Sequence, residues 1–216
     1  MSGQLRKEFV TRHEKNGFDG WILAWDSTVP FEPGQVVPVT VSPDLPPRLY
    51  SLVSGVNDSD RSLLYTVVSG GELTPRLAEL KPGDPLFVGE PTGSFRTPKG
   101  PAVWISNGTG IAPYLSMLRS GLSQDKLLIH GARFQQQFYD QEFLSSVLAK
   151  NYVRCASADL GEGLFPGRLT TYVSQQTWNP EVPCLLCGSA SMIVETRDLL
   201  IQAGVPFSKI LSEVYF

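Results

Sequence analysis

Cysteine and histidine are scarce in this chain, with three and two in 216 residues. Cys155, Cys184 and Cys187 are too few, and odd in number, for a disulfide framework. Two histidines do not complete a zinc site, and the C-x4-C-x2-C spacing of a plant-type iron–sulfur centre is missing, so no metal is expected. Long apolar runs are also absent. The best stretches, 127–130 and 184–187, are far too short to span a bilayer. There is no excess of positive charge: the net charge is -3, which argues against a general nucleic-acid binder. The N-terminal Met1-Ser-Gly-Gln-Leu-Arg-Lys-Glu8 has no apolar h-region, so a secretory signal is not expected and the cytoplasm is the default. At 18% charged and 42% hydrophobic residues, the chain is not disordered and holds enough apolar mass for one large core or two small ones.

What is present changes character along the chain. The first ninety-odd residues carry short β-branched or apolar runs at 20–25, 35–41, 49–54, 63–68 and 85–89. Turn signals separate them, among them Glu32-Pro-Gly34, Ser69-Gly-Gly71 and Lys81-Pro-Gly-Asp84. Such spacing predicts an antiparallel sandwich or barrel. Within it, Thr74-Pro75 predicts one short helix with Thr74 as its N-cap. After about residue 97 strands and helices alternate. Strands are expected at 101–106, 126–130, 153–156, 183–187 and 210–216, and helices at 111–122, 141–150, 168–175 and 191–203. Alternating β and α units predict a doubly wound parallel sheet with its ligands beyond the carboxyl ends of the strands. The fold class is therefore a two-domain β + α/β chain. An antiparallel domain spans residues 1–97, and a doubly wound parallel α/β domain spans 98–216.

Several motifs carry chemistry on such a frame. Gly108-Thr-Gly-Ile-Ala-Pro113 follows a strand and opens a helix, where glycines admit a phosphate or a flat ring close to the backbone. A plain tight βα turn has the same spacing, and the third glycine of GxGxxG is replaced by Pro113. His130-Gly-Ala-Arg133 ends the second strand with an arginine, which suits a 2′-phosphate, and Arg168 is a second such cation. Arg48-Leu-Tyr-Ser51 places an arginine and a tyrosine on one strand face, fit to clamp a pyrophosphate and stack on a ring, or simply to sit at a sheet edge. Cys184-Leu-Leu-Cys187 has redox-pair spacing, but on a buried strand the two thiols point to opposite faces and are poorly placed to bridge.

Arg48-Leu-Tyr-Ser51, Gly71-Glu-Leu-Thr74, Gly108-Thr-Gly-Ile-Ala-Pro113, Cys187-Gly188 and Glu213-Val-Tyr-Phe216 occur in the order found in the ferredoxin–NADP(+) reductase superfamily. From about residue 31 onward the chain resembles its bacterial ferredoxin/flavodoxin reductases, most closely at 71–84 and 110–116. The resemblance implies a Greek-key β-barrel that binds FAD, followed by an NADP(H)-binding α/β domain. It implies that Arg48 pairs with the FAD pyrophosphate, with Leu49 beside it, that Tyr50 stacks on the isoalloxazine, and that Ser51 bonds near flavin N5. The backbone of Leu64, Tyr65 and Thr66 would meet the flavin pyrimidine, and Glu72, Leu73 and Thr74 the pyrophosphate. Tyr215 would cover the second flavin face, with Phe216 against the adenine. For NADP, Gly108, Thr109 and Gly110 would cradle the nicotinamide and pyrophosphate, Thr109 also touching the flavin. Cys187, Gly188 and Glu213 would line the nicotinamide pocket. Ala132, Arg133, Ser157 and Arg168 would serve the phosphate end.

Two departures stand out. Ser157-Ala158-Asp159 replaces the Ser-Arg that usually grips the 2′-phosphate, and Asn107 stands where Thr or Gly is usual. The implied activity is electron transfer between NADPH and ferredoxin or flavodoxin through FAD, with Ser51, Cys187, Glu213 and Tyr215 nearest the reacting atoms. An NAD(P)H:flavin reductase or oxygenase-reductase component is the alternative, and a non-catalytic flavin- or pyrimidine-binding subunit a third class. The basic residues Arg6, Lys7, Arg12 and Lys15 would suit an acidic partner or plain solvation.

Overall fold

The computed structural model describes residues 4–215, so the expected adenine contact of Phe216 lies outside it. The chain divides into two compact units: residues 1–96 with 112–120, and 97–111 with 121–216.

Six strands make the first unit: β1 Arg6–Asn16, β2 Gly20–Asp26, β3 Val36–Thr40, β4 Arg48–Ser51, β5 Asp60–Thr66 and β6 Pro85–Val88. They lie in the order β4-β3-β6-β1-β2-β5, every pairing antiparallel. A bridge from Leu52 to Leu63 brings the two end strands together, closing the sheet into the expected barrel. Inward residues of alternate strand positions (Leu23, Trp25, Val37, Val39, Leu63, Tyr65, Leu86 and Val88) fill its interior. The helix α1, Leu73–Leu77, adds Leu73 and Leu77 to that core. Helix α2, Ala112–Arg119, belongs to this unit. Ser116 Oγ donates to the Ser54 carbonyl at 2.7 Å and Arg119 Nη1 to that of Val53 at 3.0 Å.

Two expectations change here. The helix starts at Leu73, not after Thr74. Position 72 provides no side-chain cap, and the Thr74 hydroxyl instead accepts the Val68 N–H at 2.9 Å. Pro75 is tolerated because the first turn of a helix leaves its N–H groups unpaired in any case. The basic N-terminal stretch, read as solvated or partner-facing, is the long strand β1. Arg6 pairs with Glu90, Arg12 with Glu14 and Asp60, and Lys15 Nζ lies 4.0 Å from the centre of the Trp21 ring.

The second unit is a parallel sheet of β7 Ala102–Asn107, β8 Lys126–Ala132, β9 Tyr152–Ala156, β10 Leu164–Pro166, β11 Cys184–Ser189 and β12 Ile210–Tyr215. Their order is β10-β9-β8-β7-β11-β12, so the winding reverses between β7 and β11. One face packs Val103, Ile105, Ile129, Cys155 and Leu186 against Leu169 and Val173 of α4, Leu169–Ser174, and Met192, Ile193 and Leu200 of α5, Ala190–Gln202. A further helix, α3 Gln141–Leu148, buries Leu144 and Leu148. No helix among the described residues is long and apolar enough to cross a membrane.

Candidate functional site

In an open parallel sheet the ligand crevice forms where neighbouring strands send their connections in opposite directions. Here that point is the carboxyl end of β7 beside β11. The Gly108–Ile111 turn, a 3-10 turn, leaves β7 at this place. Gly108 has φ +54°, and a Cβ added there would meet nothing within 4 Å. Gly110 is the reverse case: a Cβ would fall 2.3 Å from the Cys187 carbonyl oxygen and 2.7 Å from Gly188 Cα. The turn therefore lies flat on the Cys187–Gly188 backbone, and only glycine at position 110 permits it. Cys187 is opposite Glu213 on β12, and Ser189 opposite Tyr215. The expected nicotinamide residues Gly108, Thr109, Gly110, Cys187, Gly188 and Glu213 thus gather at one edge, with Tyr215, expected over the flavin, on the same strand end.

Burial, first of all, pushes the Cys187 thiol well above its ordinary range. The Glu213 carboxylate adds to this, and a bond with Tyr215 opposes it. A thiol so held stays protonated and is no nucleophile. Cys184 sits in the α4/α5-side core, is pushed up to about 11 by burial, and all three cysteines are free.

His130, on β8 beside Ser106, is wholly buried, and its Nδ1 lies 3.1 Å from the Tyr152 hydroxyl. Burial lowers its pKa to about 4, a nearby Gly108 backbone group opposing. Among the described residues, His130 Nε2 and Ser106 Oγ are buried with no hydrogen-bond partner. Neutral His130 thus underlies the glycine turn.

The expected phosphate end lies at the carboxyl ends of β8 and β9. The Ser157 and Ala158 N–H groups donate to the Ala132 and Arg133 carbonyls at 3.1 and 2.8 Å, bringing Ala132, Arg133 and Ser157 together. Gly167 N–H reaches the Ala156 carbonyl at 2.9 Å, setting Arg168 at the same edge, where it pairs with Glu195 at 3.1 Å. The Arg133 guanidinium lies 5.2 Å from the centre of the Phe134 ring, and Asp159 accepts the Gln135 N–H at 2.5 Å.

In the barrel, Arg48 and Leu49 are exposed, Tyr50 half-buried and Ser51 buried. Burial pushes the Tyr50 hydroxyl up to about 12, with the Arg48 charge opposing, so the two side chains are neighbours. The facing end strand contributes buried Leu64 and Tyr65 and half-buried Thr66. Gly71 N–H bonds the Val68 carbonyl at 3.0 Å, and Glu72, Leu73 and Thr74 follow directly on α1. His13 and Trp21 form an addition that sequence reasoning missed. The Leu80 carbonyl can only accept, so His13 Nδ1 donates to it at 2.7 Å. In the neutral ring Nε2 then takes the Tyr65 hydroxyl proton's bond at 2.9 Å. The His13 ring stacks on Trp21 at 4.7 Å.

Residues 104–198 match the family of oxidoreductase NAD-binding domains. The reductase component of the naphthalene 1,2-dioxygenase/salicylate 5-hydroxylase systems of a Ralstonia species is 28% identical over 200 residues. That alignment takes in 86% of this chain and 61% of that protein, so the chain spans about three fifths of its relative's length. Ferredoxin–NADP reductase B of Sorangium cellulosum is 33% identical over 189 residues, 78% of each sequence. A ferredoxin NADP+ reductase from Neisseria gonorrhoeae, solved with bound FAD and NADP, superposes with a TM-score of 0.88 over 100% of both chains at 19% identity. From its motifs, its fold and 33% identity across 78% of a named member, the chain belongs to the ferredoxin–NADP reductase family.

Proposed function

We propose that this chain is an FAD-containing reductase that moves electrons between NADPH and a one-electron carrier protein, ferredoxin or flavodoxin. The observation that carries the reading is the Gly110 backbone pressed onto Cys187–Gly188 at the sheet's switch point, with Gly108 open above it. Both cofactors fit the residues present. In unit 1 the exposed Arg48 guanidinium suits a pyrophosphate, and the Tyr50 ring, protonated through neutral pH, suits a flat heterocycle. Ser51 would bond the ring edge, and Glu72, Leu73 and Thr74 would meet the phosphates. In unit 2 the glycine turn takes the nicotinamide end of NADP(H), with Cys187, Glu213 and Tyr215 around the ring. Arg133, Ser157 and Arg168 take the phosphate end.

The chemistry supplied by the bound groups is hydride transfer from nicotinamide C4 to flavin N5, after which the two electrons leave singly. The chain's task is to orient the rings and keep water out. Cys187, a buried neutral thiol, provides shape and dryness at the nicotinamide rather than a proton or a nucleophile. Arg133 and Arg168 supply the charge that Ala158 does not, so NADPH keeps an advantage over NADH at this edge.

A second reading is favoured by the Ralstonia relative: a reductase component feeding an oxygenase. The two separate by acceptor. Purified protein should carry FAD and reduce ferredoxin or flavodoxin faster than free flavin. Protein that binds no FAD contradicts both readings, while preference for free flavin or an oxygenase component favours the second.

A further inference from the structure

Asn107 ends β7 immediately before the glycine turn, and its carboxamide is used twice on one neighbour. Its Oδ1 accepts the Ser189 N–H at 2.9 Å, and its Nδ2 donates to Ser189 Oγ at 3.0 Å. Because a backbone N–H only donates, the orientation of the amide is fixed by the contact itself. On β11, just before Ser189, Gly188 has φ +147° and a missing Cβ that would fall 2.0 Å from Asn107 Oδ1. Three residues beyond Asn107, Gly110 lies against the Cys187 carbonyl. The end of β11 is therefore gripped at two successive points, by a side chain at Ser189 and by backbone at Cys187.

We propose that Asn107 is a positioning residue for the nicotinamide half of the dinucleotide. Its double bond to Ser189 sets the spacing between the Gly108–Gly110 turn and the Cys187–Gly188 backbone, and so the width of the crevice that receives the ring. The proposal rests on the dinucleotide reading given above. It concerns only the edge between β7 and β11. Arg133 and Ser157, at the ends of β8 and β9, lie on the other side of β7 from the clamp.

That separation supplies the test. Full-length wild type, Asn107→Ala and Ser189→Ala are titrated by calorimetry with NADP+ and with 2′-phosphoadenosine 5′-monophosphate, which lacks the nicotinamide half. Removing both bonds should weaken NADP+ by about tenfold or more, while affinity for the adenine fragment stays within about twofold. Ser189→Ala keeps the backbone bond and should show the same pattern at roughly threefold. Anaerobic hydride transfer at saturating NADPH should slow in the same order. Equal losses for both ligands would make Asn107 a merely structural residue, and no loss for NADP+ would remove its role; either overturns the proposal. If Asn107→Ala does not fold, the Ser189→Ala pattern decides. Wild type that binds neither ligand would instead contradict the dinucleotide reading.

Discussion

In the barrel the candidate site is made of side chains on ordinary strands. Arg48, Tyr50 and Ser51 have regular β backbone, and what singles them out is exposure of a cation and a half-buried ring at the edge of the sheet. In the parallel sheet the site is made of backbone. Gly108 and Gly110 contribute by having nothing attached, and the double bond of Asn107 to Ser189 ties the two strand ends together. The difference teaches which substitutions matter where. A barrel site should lose affinity without losing fold, whereas a sheet site cannot be altered at the turn without disturbing the packing beneath it.

The strongest challenge to that contrast is Gly110→Ala. Its Cβ would overlap a backbone carbonyl that cannot turn away, so a cost of about 2–3 kcal/mol, or failure to fold, is expected in thermal or denaturant unfolding. Gly100→Ala, where a Cβ meets nothing within 4 Å, is the control and should be neutral. Of similar size is the acid sensitivity. His130 is neutral in the fold, with a pKa lowered from 6.5 to about 4, so between those values the unfolded chain binds the extra proton. The stability it lends is full above about pH 6.5 and is lost as pH falls toward 4, up to about 3 kcal/mol, and His130→Gln should flatten this slope. On the barrel side, Arg48→Ala should release FAD by about 1.5–3 kcal/mol of affinity, while unfolding stability moves by less than about 0.5 kcal/mol. A loss of stability instead would break the contrast. The smallest effect is expected for Tyr65→Phe, which costs one bond to His13, about 1 kcal/mol in unfolding.

Much of this was legible beforehand, and the failures have physical causes. The parallel half was readable because runs such as 184–187 and 127–129 carry apolar residues on both faces of their strands. The strand β1 escaped notice because Val10 alone is fully buried in its eleven residues, and its charges pair along and across the sheet rather than alternate with core residues. Strand β10 is three residues long, below what any periodicity reveals. Helix α1 starts at Leu73, two residues before the Pro75 start that a Thr74 cap implies, because Thr-Pro is a start signal that also suits positions inside the first turn. Asn107 stood out in the sequence as a departure from the family pattern. Its use could not be read there, because Ser189 is 82 residues away and only the sheet order brings the two together.

The proposed activity requires that bound FAD accept hydride from NADPH. Anaerobic titration of the purified flavoprotein with NADPH, and in parallel with NADH, tests it most directly through the visible absorbance of the oxidised flavin. Stoichiometric bleaching, faster with NADPH than with NADH, is the expected result. A bound flavin that neither nucleotide reduces would contradict the account.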